Sequence, residues 1–130
     1  MAYAVRSLDH LVVNCSDVER SAAWYARLLG MRVERFGPDR RIALHFGSQK
    51  LNLRPVGAPE WEAAADDSPG TQDLCFVVEA EPDETLRHLA AEGVAVTTGP
   101  VERLGARGPM TSIYCRDPDG NLIELARYPG

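Results

Sequence analysis

The chain almost repeats itself, and nothing else in it constrains the fold as strongly. When the sequence is slid so that His10 falls on Asp73, Leu11 falls on Leu74, Val13 on Phe76, Gly30 on Gly93 and Val33 on Val96. A second, slightly longer shift lays Leu51, Asn52 and Leu53 over Ile123, Glu124 and Leu125. His10, Asp73, Asn52 and Glu124 therefore occupy two pairs of equivalent places, each flanked by residues that favour burial. Setting even a neutral polar group inside an apolar sheet costs about 2–7 kcal/mol unless something compensates it. A shared metal ion compensates all four together.

Local patterns give the same order of elements twice. An extended run from Leu8 to Cys15 comes first. Ser16 opens Ser-Asp-Val-Glu, where Glu19 completes a capping-box pattern. Val18, Ala22, Tyr25, Leu28 and Leu29 follow at helical spacing, and Gly30 supplies the stop. Three short strands are predicted at Arg32–Phe36, Arg41–Phe46 and Lys50–Arg54, with turns at Gly37-Pro38-Asp39 and Gly47-Ser48. A Pro- and Gly-rich connector at 56–70 contains Trp61, an aromatic that either packs back or lines a pocket. Beyond it lie a strand at Asp73–Val78, a helix at Pro82–Glu92 stopped by Gly93, and strands at Ala95–Thr98, Met110–Cys115 and Leu122–Arg127. Asp117-Pro118-Asp119-Gly120-Asn121 marks the turn between the last two. The pattern predicts an α+β fold of two tandem βαβββ modules, at 8–55 and 71–128, in one domain of 130 residues.

With 45% hydrophobic and 25% charged residues, the composition is that of an ordinary soluble protein. A formal net charge of −5 leaves no basic footprint for nucleic acid. No apolar run has the length of a membrane span, and MAYAVRSLDH lacks a signal-peptide pattern, so a cytoplasmic location is expected. Cys15, Cys75 and Cys115 form no CxxC, and strand placement predicts buried free thiols in a reducing compartment.

Strand alternation assigns faces. His10, Val12 and Asn14 share one side of the first strand, and Asn52 lies opposite Leu51 and Leu53. Asp73, Cys75 and Val77 share a side, as do Leu122, Glu124 and Ala126. Helices cover the other side of each sheet. If the sheets curl together, His10, Asn52, Asp73 and Glu124 converge on a concave face, a first shell of one nitrogen and several oxygens for a divalent cation.

The opening LDHLVVNCSDVERSAAWYARLLGMRV and the ending SIYCRDPDGNLIELARY resemble the vicinal oxygen chelate superfamily, which includes glyoxalase I, bleomycin-resistance proteins and extradiol dioxygenases. GPVERLGARGPMTSIYCRDPDGN is most similar to small lactoylglutathione-lyase-like glyoxalase-domain proteins. The resemblance spans Leu8 to Tyr128. It implies a curled mixed sheet with a metal and ligand cleft, a homodimer, and metal ligands on the first and last strand of each module. Those positions are His10, Asn52, Asp73 and Glu124 here. Two of them depart from the pattern the resemblance implies: histidine is usual at position 73, and position 52 usually holds glutamate, glutamine or histidine or is left unused. Asn52 is therefore expected to face substrate, leaving His10, Asp73 and Glu124 as the ligands of a divalent ion such as Zn, Mn, Fe, Ni or Mg.

The implied activity is that of a glyoxalase-like lyase or isomerase, in which the metal polarises adjacent substrate oxygens and Glu124 moves the proton. Asn52 cannot act as a base, which argues against a two-base epimerisation. Arg103 and Arg107, set among glycines from Gly99 to Pro109, suit a carboxylate or phosphate, so a small anionic substrate is expected. The bland alternative for that stretch is a solvated hairpin loop. His45, Arg54 and Tyr114 are further candidate contacts to substrate. A metal-free, ligand-sequestering protein like those of bleomycin resistance is the competing reading. A dioxygenase, whose iron site needs a second histidine, ranks below both.

Overall fold

The computed structural model describes residues 2–130. It divides into two compact units, Met1–Ser68 and Pro69–Gly130. The first contains β1 (His10–Cys15), α1 (Val18–Leu29), β2 (Arg32–Phe36), β3 (Arg41–Phe46) and β4 (Gln49–Pro55). The second contains β5 (Asp73–Val77), α2 (Pro82–Ala91), β6 (Thr98–Gly105), β7 (Gly108–Arg116) and β8 (Leu122–Arg127). Each builds one four-stranded mixed sheet, in the order β1-β4-β3-β2 or β5-β8-β7-β6. In both, the first strand pairs parallel with the last and the remaining pairs are antiparallel. The internal repeat in the sequence is thus a repeat of topology.

Helix α1 lays Ser21, Ala22, Tyr25 and Leu28 on its buried side. They meet a sheet face bearing Val13, Leu44, Leu51 and Leu53, all at most 2% exposed. Gly30 ends the helix at φ 67, where an L side chain is strained, and its N–H reaches back to Ala26 and Tyr25. The N-terminal cap lies one residue later than the sequence pattern predicts. Asp17 is extended and accepts from the Arg20 N–H at 3.0 Å. Ser16 Oγ instead accepts from the Arg20 guanidinium, and Glu19 turns outward to a two-bond pair with Arg35 at 2.7 and 2.8 Å. An available guanidinium wins over the capping role because it offers the carboxylate a forked, charge-assisted partner. In the second unit Glu81 caps α2, Pro82 is its first residue, and Leu89 is fully buried.

Two other expectations change. The strand predicted at Ala95–Thr98 begins only at Thr98 and runs to Gly105. The glycine-rich stretch is therefore a β6–β7 hairpin, as its alternative reading had it, but most of it is strand: the register closes at Gly105 and Gly108 around the turn residues Ala106 and Arg107. Val101 and Leu104 stand three apart on opposite faces of the strand, so this stretch carries no period-two signal. Pro100, which has no N–H to give a ladder, sits in the irregularity between Thr98 and Val101. The three cysteines are free, but only Cys15 and Cys115 are buried; Cys75 is exposed. It lies on the sheet face away from α2, with Asp73 and Val77.

Trp61 packs back against the first unit, with the Arg41 guanidinium 3.8 Å from its ring centroid. Arg54 fixes the connector to the sheet. Only 4% exposed, it donates to Asn14 Oδ1 at 3.1 Å, Asp67 Oδ2 at 2.8 Å and the Ala58 carbonyl at 2.8 Å.

Candidate functional site in the second unit

Residues paired across neighbouring strands share a face. The β5–β8 register sets Asp73 against Leu122 and Cys75 against Glu124. The β7–β8 register sets Glu124 against Tyr114, and Tyr114 pairs with Thr98 on β6. Met110 pairs with Arg103, which brings Arg103 onto the same face. The result is a recess of about 540 Å³ lined by Asp73, Thr97, Thr98, Arg103, Tyr114, Arg116, Leu122 and Glu124.

The turn at 117–121 holds the two acidic strands in place. Asp117 Oδ1 accepts from the Asp119 and Asn121 N–H groups, both at 2.9 Å. Asp117 Oδ2 accepts from Asn121 Nδ2 at 2.7 Å. Fully buried Asn121 in turn accepts from the Gln72 N–H at 2.9 Å, and the Leu122 N–H donates to the Gln72 carbonyl at 3.0 Å. Asp73 and Glu124 are thus set by one knot of hydrogen bonds.

Inside the recess, Ser112 Oγ donates to Glu124 Oε2 at 2.6 Å. Arg103 Nε donates to the Tyr114 hydroxyl at 3.2 Å, with its guanidinium 5.6 Å from the ring centroid. Burial pushes the Tyr114 phenol up; the Arg103 hydrogen bond opposes that, and the Glu124 carboxylate adds to it. Partial burial, followed by the charges of Glu124 and Asp73, pushes the Cys75 thiol up to about 11. It is protonated at neutral pH and a poor nucleophile.

The candidate arginines part company. Arg103 lines the recess. Arg107 stacks 4.3 Å from the Tyr128 ring centroid, and its backbone N–H donates to the Tyr128 hydroxyl at 3.1 Å. It is not among the residues that line the recess.

In the first unit, β1–β4 register opposes Val12 to Asn52 and His10 to Lys50 on the face away from α1. His10 Nδ1 meets Asp9 Oδ1 at 2.9 Å. A ring nitrogen that donates to a carboxylate leaves the other with its lone pair, the form in which imidazole binds metal. Asn52 Oδ1 is buried and has no hydrogen-bond partner. His45 is engaged by Glu34 at 2.8 Å, a bond that holds the Glu34 carboxyl below its usual value. Among the described residues, no three His, Cys, Asp or Glu side chains form a group that could hold a metal ion.

Sequence reasoning missed Ser112 and Asp9. Asp9 was legible as the acidic neighbour of His10. Ser112 needed the strand register, which alone brings its hydroxyl to Glu124.

A family model described as the Glyoxalase/Bleomycin resistance protein/Dioxygenase superfamily matches residues 7–125. The chain belongs to this superfamily, and its two tandem four-stranded modules have the vicinal oxygen chelate fold. It is 50% identical over 125 residues to glyoxalase domain-containing protein RDO1 of Mycosarcoma maydis, covering 96% of this chain and 70% of that protein. It is 40% identical over 121 residues to virulence protein STM3117 of Salmonella typhimurium, covering 93% and 83%. The structure of integron cassette protein VCH_CASS1, from the mobile metagenome of V. cholerae, superposes with a TM-score of 0.95 at 40% identity, covering 99% of this chain and all of that one, 100%. Among the described residues no helix is long and apolar enough to cross a membrane.

Proposed function

We propose that the protein is a cytoplasmic glyoxalase-type lyase or isomerase that acts on a small, anionic, oxygen-rich or thiol-conjugate substrate. The observation that carries this reading is the recess: a carboxylate tethered through one oxygen, beside a phenol and a guanidinium. Arg103 attracts the anionic group, which an acidic protein of net charge −5 would otherwise repel. Glu124 takes a proton from the substrate and returns it to a neighbouring atom. Asn52 has no titrating proton, so a single carboxylate serves both transfers.

Two separate donors support a divalent ion in this reading. Asn52 offers a buried carbonyl oxygen without a donor, and His10 keeps one ring nitrogen available. His10, Asp73 and Glu124 would hold Zn, Mn, Fe, Ni or Mg, with Asn52 facing substrate; the ion supplies Lewis-acid polarisation of a substrate oxygen. The acting form is a homodimer, which protects exposed strand edges.

Elemental analysis of the purified protein before and after chelation tests the metal. Stoichiometric metal in the wild type, lost in His10→Ala and Asp73→Ala and less affected in Asn52→Ala, is the expected result. Full occupancy in both His10→Ala and Asp73→Ala overturns the ligand set. Sedimentation at low micromolar concentration should give twice the monomer mass, and a strict monomer refutes the dimer. The second reading, a metal-free ligand-sequestering protein, draws on the missing three-residue ligand group among the described residues. Tight ligand binding by metal-free protein, with no turnover, would establish it.

A further inference from the structure

We propose that Arg116 is a second anion-binding arginine of the recess, and that Arg103 and Arg116 together select a substrate with two separate anionic groups. The proposal rests on the reading of the recess as the substrate site and narrows the class of substrate it takes. Both side chains line the recess of about 540 Å³. Four other arginines are neutralised in place: Arg35, Arg41, Arg54 and Arg127 each lie within 3.1 Å of a carboxylate oxygen. The bonds of Arg103 and Arg116 go to uncharged oxygens instead. Arg103 donates to the Tyr114 hydroxyl at 3.2 Å and the Glu102 carbonyl at 3.0 Å, and Arg116 to the Gly120 carbonyl at 3.3 Å. A guanidinium carries five N–H donors, so each keeps its charge and several donors for a ligand.

Strand register shows that the two do not make one grip on one group. Arg103 pairs with Met110 and Arg116 with Leu122, so their rows are separated by the run of β7 from Met110 to Arg116, about 20 Å at a strand's usual rise. Arg103 shortens the gap by leaning to the Tyr114 hydroxyl, where its Nε is held. The row of Tyr114 and Glu124 lies between the two. A substrate that meets both arginines therefore carries anionic groups at its two ends and lays its middle across Tyr114 and Glu124. The carboxylates of the recess are set apart from this path. Asp73 and Glu124 stand on β5 and β8, the arginines on β6 and β7. Leu122 lies between Asp73 and Arg116 in their shared row and keeps them from pairing. Glu124 accepts from Ser112 Oγ at 2.6 Å and also from Tyr114 and Cys75, which spreads its charge.

The test is a chemical-shift titration of ¹⁵N-labelled protein with three small probes. Glutarate has two carboxylates, 3-phosphonopropionate has one carboxylate and one phosphonate, and valerate has the chain length of glutarate with one carboxylate. Wild type should bind at least one of the dianions about tenfold or more tighter than valerate, because its second group meets an arginine while the first is already held. Arg103→Gln and Arg116→Gln keep an amide donor for the oxygens that each arginine holds and remove the charge. Each should bring that dianion to within a few-fold of valerate. Arg107→Gln removes the same charge outside the recess and should leave all affinities unchanged. Raising salt on the wild type should weaken the dianion more steeply than valerate, a reading that needs no variant to fold. Loss in Arg103→Gln with wild-type affinity in Arg116→Gln overturns the role of Arg116 and leaves the recess standing as an anion site. Equal affinity for dianions and valerate overturns the two-group substrate. Absence of binding by every probe, or shifts confined to residues outside the recess, sinks the recess as substrate site and this proposal with it.

Discussion

Replacing Arg54 with alanine removes the charge on which the connector of the first unit is anchored. Arg54 is 4% exposed, and its guanidinium serves three acceptors: Asn14 Oδ1, Asp67 Oδ2 and the Ala58 carbonyl. Asn14 is itself buried, at 7% exposure, so its oxygen loses its donor with no water to replace it. The same holds for the Ala58 carbonyl in so far as the connector stays down. An unsatisfied buried acceptor costs about 1–3 kcal/mol. Two of these, with the volume vacated by the side chain, give about 3–5 kcal/mol, the range for breaking a buried charge network. That is a third or more of the stability of an ordinary small domain, about 5–15 kcal/mol. Asp67 behaves differently, because its side chain is 37% exposed and rehydrates when the arginine goes. Asp67→Asn, in contrast, leaves the buried Arg54 guanidinium without its carboxylate and should itself be clearly destabilising. Urea unfolding followed by tryptophan fluorescence measures both, since Trp61 lies in the connector. The pH dependence follows from Asp67. Its carboxyl is held below the usual value first by the Arg54 hydrogen bond and then by the Gly57 N–H. A pKa lower in the folded than in the unfolded state gives stability that is present above the unfolded value and is lost as pH falls through the folded one. Wild type should lose stability on acidification below about pH 4, and Asp67→Asn should lose less over the same interval. A folded Arg54→Ala protein within about 1 kcal/mol of wild type would refute the reasoning, since no network of this kind breaks so gently.

Three further outcomes are expected. Arg103→Ala should weaken binding of anionic ligands in a salt-dependent manner, whereas Arg107→Ala should leave their affinity unchanged and cost about 0.5–1 kcal/mol through its lost stacking on Tyr128; calorimetry at two salt concentrations separates them. Asn121→Ala deprives Asp117 and the Gln72 N–H of partners at 0% exposure and should lower stability by about 2–4 kcal/mol in thermal unfolding. Gly99→Ala combines φ 111 with a Cβ against the Ser112 carbonyl and should cost at least about 1–3 kcal/mol, with unchanged unfolding temperature counting against the close packing.

The fold was legible where side chains alternate cleanly or where a breaker stands at the end of an element. Leu122–Arg127, Arg32–Phe36 and Arg41–Phe46 are strands with the boundaries that their sequence predicts. The helix cap shifted because Ser16 and Asp17 both qualify, and the choice turns on where Arg20 and Arg35 lie. The length of the β6 and β7 strands was illegible because glycine and proline, the usual marks of a loop, here serve a bulge and a close approach between strands. At the site, alternation was enough to place Asp73 and Glu124 on the face away from the helix. It could not separate Arg103 from Arg107, since only the register sends one to Tyr114 and the other to Tyr128.

The order of strands bears on how the protein opens. β1 and β5 are edge strands, each joined only to the last strand of its own unit, whereas β4 and β8 are hydrogen-bonded on both sides. The antiparallel pairs β2–β3, β3–β4, β6–β7 and β7–β8 close over short stretches of chain; the parallel pairs β1–β4 and β5–β8 close over nearly a whole unit. Local pairs form early and distant ones late, because the entropy of closure must be met before the contacts reward it. The outer strands are thus the last to dock and the first to lift. His10 and Asp73 ride on them, while Asn52 and Glu124 stay on the inner ones. Amide protons of β1 and β5 should exchange with solvent ahead of those of β4 and β8, and anything that bridges an outer donor to an inner one would slow that exchange at the edges first.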